Sequence, residues 1–292
     1  MGGITVSEFE LPIKIGKIEY TNDWPIYQNF DPAQLSVPAV IHSDLPANLN
    51  RGLLEDRLFV TPVSSFAYGT RSDDFWLLPD LSVSAQNAVG SILLFSRKPV
   101  AELGSGTIAL TNTSATSINL LKIILDKRYG HQPEYVSMDP QLDEMMERCD
   151  AALLIGDHAI AAAQRDTGYI ITDLGLEWKE WTGLSMTFAV WAVNKRFAAV
   201  YPELVTEIGE QLRISKQRSV ADLDPVIHEA RQKMGGSHEY WEHYFRQLWY
   251  DFGDKEQQGL ALYFQYAYEL GLLDHKVNME LWTDNMMTRV NE

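Results

Sequence analysis

TIALTNTSATSINLLKIILDKR, residues 107–128, reads as a short strand, a hydroxyl-rich turn and then an amphipathic helix. Ile108 and Leu110 alternate with smaller residues as far as Thr111-Asn112-Thr113-Ser114, where the pattern changes. Beyond the turn, Ile118, Leu121, Ile124 and Leu125 recur at helical spacing, and Lys127-Arg128-Tyr129-Gly130 closes the helix. Ser114, Thr116 and Ser117 therefore fall at or inside a helix N-terminus, beside backbone N–H groups that lack an intrahelical acceptor. Those donors and the helix dipole favour a carboxylate or phosphate. Plain N-capping is the structural reading of the same hydroxyls.

Working outward, the same design recurs. Strand, small polar residues and helix start follow one another at Tyr20-Thr21-Asn22, at Pro62-Val63-Ser64-Ser65 and at Ile155-Gly156-Asp157. Strands are expected over IKIGKIEY (13–20), 39–42, 58–61, 90–96, 134–137, 151–155, 169–172 and 187–193, with helices between most of them. Two apolar segments, 75–78 and 81–83, are separated by Pro79-Asp80. From Arg196 onward four helical segments follow (197–216, 219–234, 238–250, 255–271), then a loose tail.

Alternating strands and helices before residue 195 imply an α/β fold with mixed, mostly parallel sheets and a helical C-terminal part. The long apolar strands 90–96 and 187–193 bracket about 90 residues of further α/β units. The expected layout is two-lobed: residues 1–95 plus 190–292 form the first lobe, and 96–189 an inserted second lobe. Strand C-terminal ends and helix N-termini then face a cleft between them.

Composition narrows the function classes. The 292 residues carry a net charge of −16, which argues against nucleic acid or an anionic membrane as partner. Cys149 is the only cysteine, so an internal disulfide and a cysteine-based zinc site are excluded; before the run AALLIG it reads as a packed side chain. HExxH, CxxC, GxGxxG and GxxxxGK[ST] are all absent. No run of about 18 apolar residues indicates a membrane span. The start MGGITVSEFE lacks an export pattern, and Val6 occupies the position where a myristoylation signal has Ser or Thr. A cytoplasmic location is the expectation. Trp178, Trp181 and Trp191 read as packing residues among apolar neighbours, and His158 as a helix-start histidine. Hydroxyls and an amide without a metal-ligand pattern point to a two-lobed binder of a small anion.

IGKIEYTNDWPIY, TPVSSFAY, LLPDLSVS, VGSILLFSRKP, IALTNTSATSINLL, AALLIGDHA and DLGLEWKEWTGLSMTFAVWA occur in this order. Together they resemble the chorismate dehydratase family of the futalosine route to menaquinone, over about residues 13 to 195. GLALYFQYAYELGLL is similar to that family's terminal helices. A sister enzyme of the same fold opens with a Ser-Pro-Cys-Pro-Asn-Asp-type segment, where this chain has Glu19-Tyr20-Thr21-Asn22-Asp23-Trp24.

The resemblance implies a type II periplasmic-binding-protein-like fold. It also implies elimination of water from chorismate, with no metal or other cofactor. On this reading Ser64, Ser65, Ser91, Ser114, Ala115, Thr116 and Gly156 hold the substrate carboxylates by charge-assisted hydrogen bonds. Asn22 reaches the leaving hydroxyl. Asp157 is a candidate base, with a helix cap as its structural alternative. A competing expectation is that the substrate's own side-chain carboxylate takes the ring proton. A non-catalytic small-anion sensor of the same fold is the alternative function.

Overall fold

The computed structural model describes residues 9–283. The chain start with Val6 lies outside them. Eleven strands are described: β1 (Ile13–Ile18), β2 (Ala39–Asp44), β3 (Val60–Ser64), β4 (Phe75–Ala85), β5 (Ile92–Ser96), β6 (Thr107–Thr111), β7 (Glu134–Met138), β8 (Ala151–Ile155), β9 (Ile170–Asp173), β10 (Met186–Asn194) and β11 (Leu248–Trp249). They form two sheets. A six-stranded sheet has the order β11-β4-β10-β3-β1-β2, and a five-stranded sheet the order β7-β6-β8-β5-β9.

Each sheet begins with parallel pairing and finishes antiparallel. β1 runs parallel to β2 and β3, and β6 parallel to β7 and β8. β10 runs antiparallel to β3 and β4, β11 to β4, and β5 to β8 and β9. The fold is mixed α/β as expected, although parallel pairing does not predominate: four strand pairs are parallel and five antiparallel. The apolar runs in β5, β8 and β10 are buried along their whole length. Such runs mark strands covered on both faces, and that covering does not depend on strand direction.

The expected lobe boundaries also shift. β5 hydrogen-bonds to β8 and β9, so 92–96 belongs to the second sheet rather than to a first lobe of 1–95. β10 begins at Met186 in the first sheet, before the expected return at 190. The chain crosses between sheets through 86–91 and comes back through the helix Leu174–Thr182 and the turn after it. Asp173 pins both crossings. Its carboxylate caps that helix through the amides of Gly175 and Leu176, and also accepts from Val89 (3.0 Å) and Gly90 (2.7 Å).

Proline placement explains two further differences. The segments 75–78 and 81–83 are one eleven-residue strand, β4. It absorbs the exposed Pro79-Asp80 pair as an irregularity, with Asp80 at φ 57° and a register shift against β10. Pro62, expected to open a helix, lies inside β3; β1 pairs with β3 only at Ile15–Val60, so no ladder to β1 needs an N–H from Pro62.

After β10 the helices Lys195–Val200, Pro202–Ala221, Asp224–Met234, His238–Gln247 and Asp254–Glu269 follow. β11, read from sequence as the end of a helix, pairs with β4. The tail is not loose up to residue 283. Glu280 and Trp282 exchange backbone hydrogen bonds with Leu77, and Trp282 is buried.

One apolar core runs through both sheets and beneath the C-terminal helices, and a smaller one covers the far face of the second sheet. Cys149 packs in the smaller core, where burial raises its thiol pKa. Trp178 packs edge-on against Tyr263, Trp181 stacks on Tyr266, and Trp191 donates its indole N–H to Tyr27.

Candidate functional site

Four strand ends carry the polar turns, and local chemistry fixes each. After β1, Tyr20 leads into a tight turn, Thr21–Asp23, and the helix Trp24–Tyr27, with Pro25 in its first turn. Asp23 holds this turn by accepting the Ile18 amide on Oδ2 at 2.8 Å. After β3, Ser64 caps the helix Ser65–Thr70 through the Ala67 amide, and Asn50 braces it from both sides. After β6, Ser114 caps the helix Ala115–Ile123 through the Ser117 amide. After β8, Gly156 opens the helix Gly156–Ala163 with φ 56°.

These turns meet along the seam between the two sheets. Asp157 Oδ1 accepts from the Thr21 amide (3.1 Å) and hydroxyl (2.9 Å), while Lys233 lies 3.4 Å from its Oδ2. The Phe66 amide donates to Thr116 Oγ1 at 3.0 Å. The Gly156 amide donates to the Ser91 carbonyl at 2.7 Å, and Tyr244 donates to Ser91 Oγ at 3.1 Å. From the last long helix, the Tyr263 hydroxyl donates to the Thr116 carbonyl at 3.2 Å. Gly156 is required where it stands: a Cβ there would lie 2.7 Å from the Tyr20 ring.

The sequence-derived residues divide by what their polar atoms already do. Ser64 and Ser114 spend their hydroxyls on caps, and Ser114 also donates to Ser117. Ser65 donates to the Thr187 carbonyl. Thr116 Oγ1 accepts from Phe66 and keeps its own hydrogen to donate. Ala115 and Thr116 contribute amides at a helix N-terminus. Among the described residues, Asn22 Oδ1 is buried without a hydrogen-bond partner. Asp157 is not a helix cap; it ties one lobe to the other.

Asn22 and Asp157 are thus joined through Thr21, Ser65 and Thr116 through Phe66, and Ser91 with Gly156 directly. Tyr20 bridges the groups: its ring packs on Gly156, and its hydroxyl faces Thr113 without completing a hydrogen bond of normal geometry. A cavity of about 440 Å³ opens beside the seam at the ends of β1 and β2, between Lys17, Trp24 and Lys233. None of the sequence-derived residues lines it.

The sequence reading gives no role to Tyr20, Thr21, Asp23, Lys233 or Tyr244. The first three stand within the turn that it singled out, so adjacency to Asn22 was their signal. Lys233 and Tyr244 arrive from distant helices and carry no local signal. Burial sets the electrostatics. It raises the Tyr20 and Tyr244 hydroxyl pKa values, and it pushes the Asp23 carboxyl up to about 8 against the opposing pull of Lys17.

Comparison with known proteins adds to this geometry. The chain is 30% identical over 276 residues to a chorismate dehydratase from Thermus thermophilus, covering 89% of this chain and 96% of that protein. Among solved structures, a protein from Archaeoglobus fulgidus superposes with a TM-score of 0.69 at 19% identity, covering 89% of this chain and 98% of that one. The periplasmic aliphatic sulphonate binding protein of Escherichia coli superposes with a TM-score of 0.67 at 13% identity, over 93% and 92% of the two chains. These likenesses establish the periplasmic-binding-protein-like fold. A family model described as "Menaquinone biosynthesis" matches residues 13–269, and the chain belongs to that family.

Proposed function

We propose that this protein is a chorismate dehydratase, converting chorismate to 3-[(1-carboxyvinyl)oxy]benzoate and water. The observation that carries the proposal is the 30% identical chorismate dehydratase, matched along nearly its whole length. The seam supports it, because helix N-terminal amides and hydroxyls converge there with buried oxygen atoms that have no protein partner.

The chemistry asks little of the protein beyond placement. Chorismate is a dianion, and loss of its ring hydroxyl with the proton on the neighbouring ether-bearing carbon makes the ring aromatic. Aromaticity supplies the driving force, so binding energy goes into orientation. In this reading the amides of Ala115 and Thr116 and the Thr116 hydroxyl hold the carboxylates, while the Ser65 hydroxyl stays tied to the Thr187 carbonyl. Ser91 and Gly156 shape the seam beside them, and Asn22 contacts the leaving hydroxyl.

Asp157 acts as a tie between lobes, since Thr21 and Lys233 occupy both of its oxygens. The ring proton then passes to the substrate's own side-chain carboxylate, which the protein positions. The test is direct. Purified protein with chorismate should consume the cyclohexadiene absorbance and release the aromatic product with first-order dependence on enzyme. Chorismate bound but unchanged would overturn the enzyme reading in favour of a small-anion sensor.

A further inference from the structure

Six buried side-chain oxygen or nitrogen atoms among the described residues have no hydrogen-bond partner in the protein; three belong to the turn after β1, Tyr20 Oη, Asn22 Oδ1 and Asp23 Oδ1, and a fourth is Tyr250 Oη. Asp23 and Tyr250 are close enough to influence one another, as are Tyr250 and Tyr244. Buried polar atoms left unpaired are costly, and several in one place indicate a partner with several polar groups.

Asp23 differs from the other three. Its side chain is fully buried, and the Ile18 amide anchors Oδ2, which fixes the direction of the free Oδ1. It adjoins Asn22 in the turn that carries Thr21, whose hydroxyl meets Asp157 of the second lobe. The charged and titratable groups around it are Lys17 on β1, Asp157 from the second lobe, Tyr27 on the following helix and Tyr250 after β11. Lys17 and the backbone amides of Ile18 and Asp23 favour the charged carboxylate, burial outweighs them, and the Lys17 ammonium is shared with the Trp24 and Tyr27 rings at 5.9 and 5.7 Å.

Resting on the chorismate reading above, we infer that Asp23 is the acid that protonates the departing ring hydroxyl. Hydroxide is a poor leaving group, whereas water leaves readily. The Oδ1–H bond of Asp23 breaks as an O–H bond forms on the ring hydroxyl, and the ring C–O bond breaks to release water. The electron pair of the neighbouring C–H bond becomes the third ring double bond. Its proton goes to the substrate's side-chain carboxylate, and Asp23 regains a proton from solvent after product release. Asn22 cannot fill this role because its amide has no acidic proton. Asp157 is occupied by Thr21 and Lys233. A carboxyl that remains protonated near neutral pH, as burial makes this one, is suited to the task.

Asp23→Asn tests the assignment, because its amide oxygen still accepts from Ile18 while no proton can be delivered. The expected result is a fall in kcat of about 100-fold or more, with KM and product affinity little changed and the melting temperature not lowered. The wild-type kcat/KM should fall as pH rises through about 8, and any activity left in the variant should lack that limb. An active wild type with an equally active Asp23→Asn variant, or with the same alkaline limb in both, overturns the assignment alone. A variant that fails to melt cooperatively is replaced by Asp23→Glu, which retains the acid; the assignment then requires measurable turnover with a displaced alkaline limb, and inactive folded Asp23→Glu overturns it. Wild-type protein that leaves chorismate unchanged overturns the dehydratase reading and this inference with it.

Discussion

Asp157 and Thr21 lie 136 positions apart in the chain and meet twice, through the Thr21 amide and the Thr21 hydroxyl on one carboxylate oxygen. Asp157 stands in the first turn of a helix that follows a second-sheet strand, and Thr21 in the turn after β1. The pair therefore reports how the two sheets face each other. Lys233, from the C-terminal helices, completes the contact, and its ammonium also lies 5.2 Å from the centre of the Trp24 ring.

Asp157→Asn should retain turnover within about tenfold of wild type, because the amide oxygen still accepts both Thr21 bonds and only the attraction to Lys233 is lost. That ion pair is partly exposed, and such pairs contribute up to ~1 kcal/mol. Lys233→Met should have a similar effect. If Asp157 were the base, its amide would lower kcat by ~100-fold or more. Steady-state kinetics on chorismate separates these outcomes.

Gly156→Ala should be more harmful than its size suggests. At φ 56° a side chain costs about 1–2 kcal/mol, and the new methyl would meet the Tyr20 ring at 2.7 Å. Tyr20 is buried, so the ring has to move and the seam with it. A lowered melting temperature and a raised KM for chorismate are expected. Wild-type values for both would show that Tyr20 yields freely.

Much of this arrangement is legible in the sequence. The turn Thr111 to Ser117 gave a capped helix start because serine before an apolar helical pattern has few other readings, and Ser114 does cap. The runs 151–155 and 187–193 gave buried strands for the same reason of pattern. Strand direction was not legible, since β5 and β10 are apolar on both faces whichever way they run. The boundary at 95 failed on that point, because nothing within Gly90 to Ser96 tells which sheet will accept it. Asn22 and Asp157 were found as members of strand-end turns, but their different surroundings were not. One is buried with a free oxygen, the other is held by Thr21 and Lys233, and those two partners stand 136 and 76 positions from Asp157 in the chain. Tyr244 and Lys233 were invisible for this reason.

Thr116→Val should expose what the Phe66 contact does. Valine has nearly the same shape and offers no acceptor, so the Phe66 amide loses its partner inside the seam. Leaving a buried donor unpaired costs ~1–3 kcal/mol. The loss should appear as a KM raised about tenfold or more and a lowered melting temperature, while Thr116→Ser stays near wild type. Equal kinetics for valine and serine would exclude the hydroxyl from both closure and substrate binding.

Asp23 also predicts a pH dependence of stability that can be measured without substrate. The ordinary carboxyl value is 3.8, and burial raises the folded-state value to about 8. Between these values the folded protein keeps a proton that the unfolded chain has released, so unfolding releases a proton and is favoured as pH rises. The stabilisation is complete below about 4, declines by ~1.4 kcal/mol per pH unit across the window and is exhausted above about 8. Other carboxylates add slopes of their own, so the quantity to compare is the difference between wild type and Asp23→Asn. Urea unfolding at intervals from pH 5 to 8.5 should show the variant gaining steadily on wild type and then holding a constant margin. A difference that does not change with pH would mean that Asp23 is charged throughout, and a charged Asp23 has no proton to give to a leaving hydroxyl.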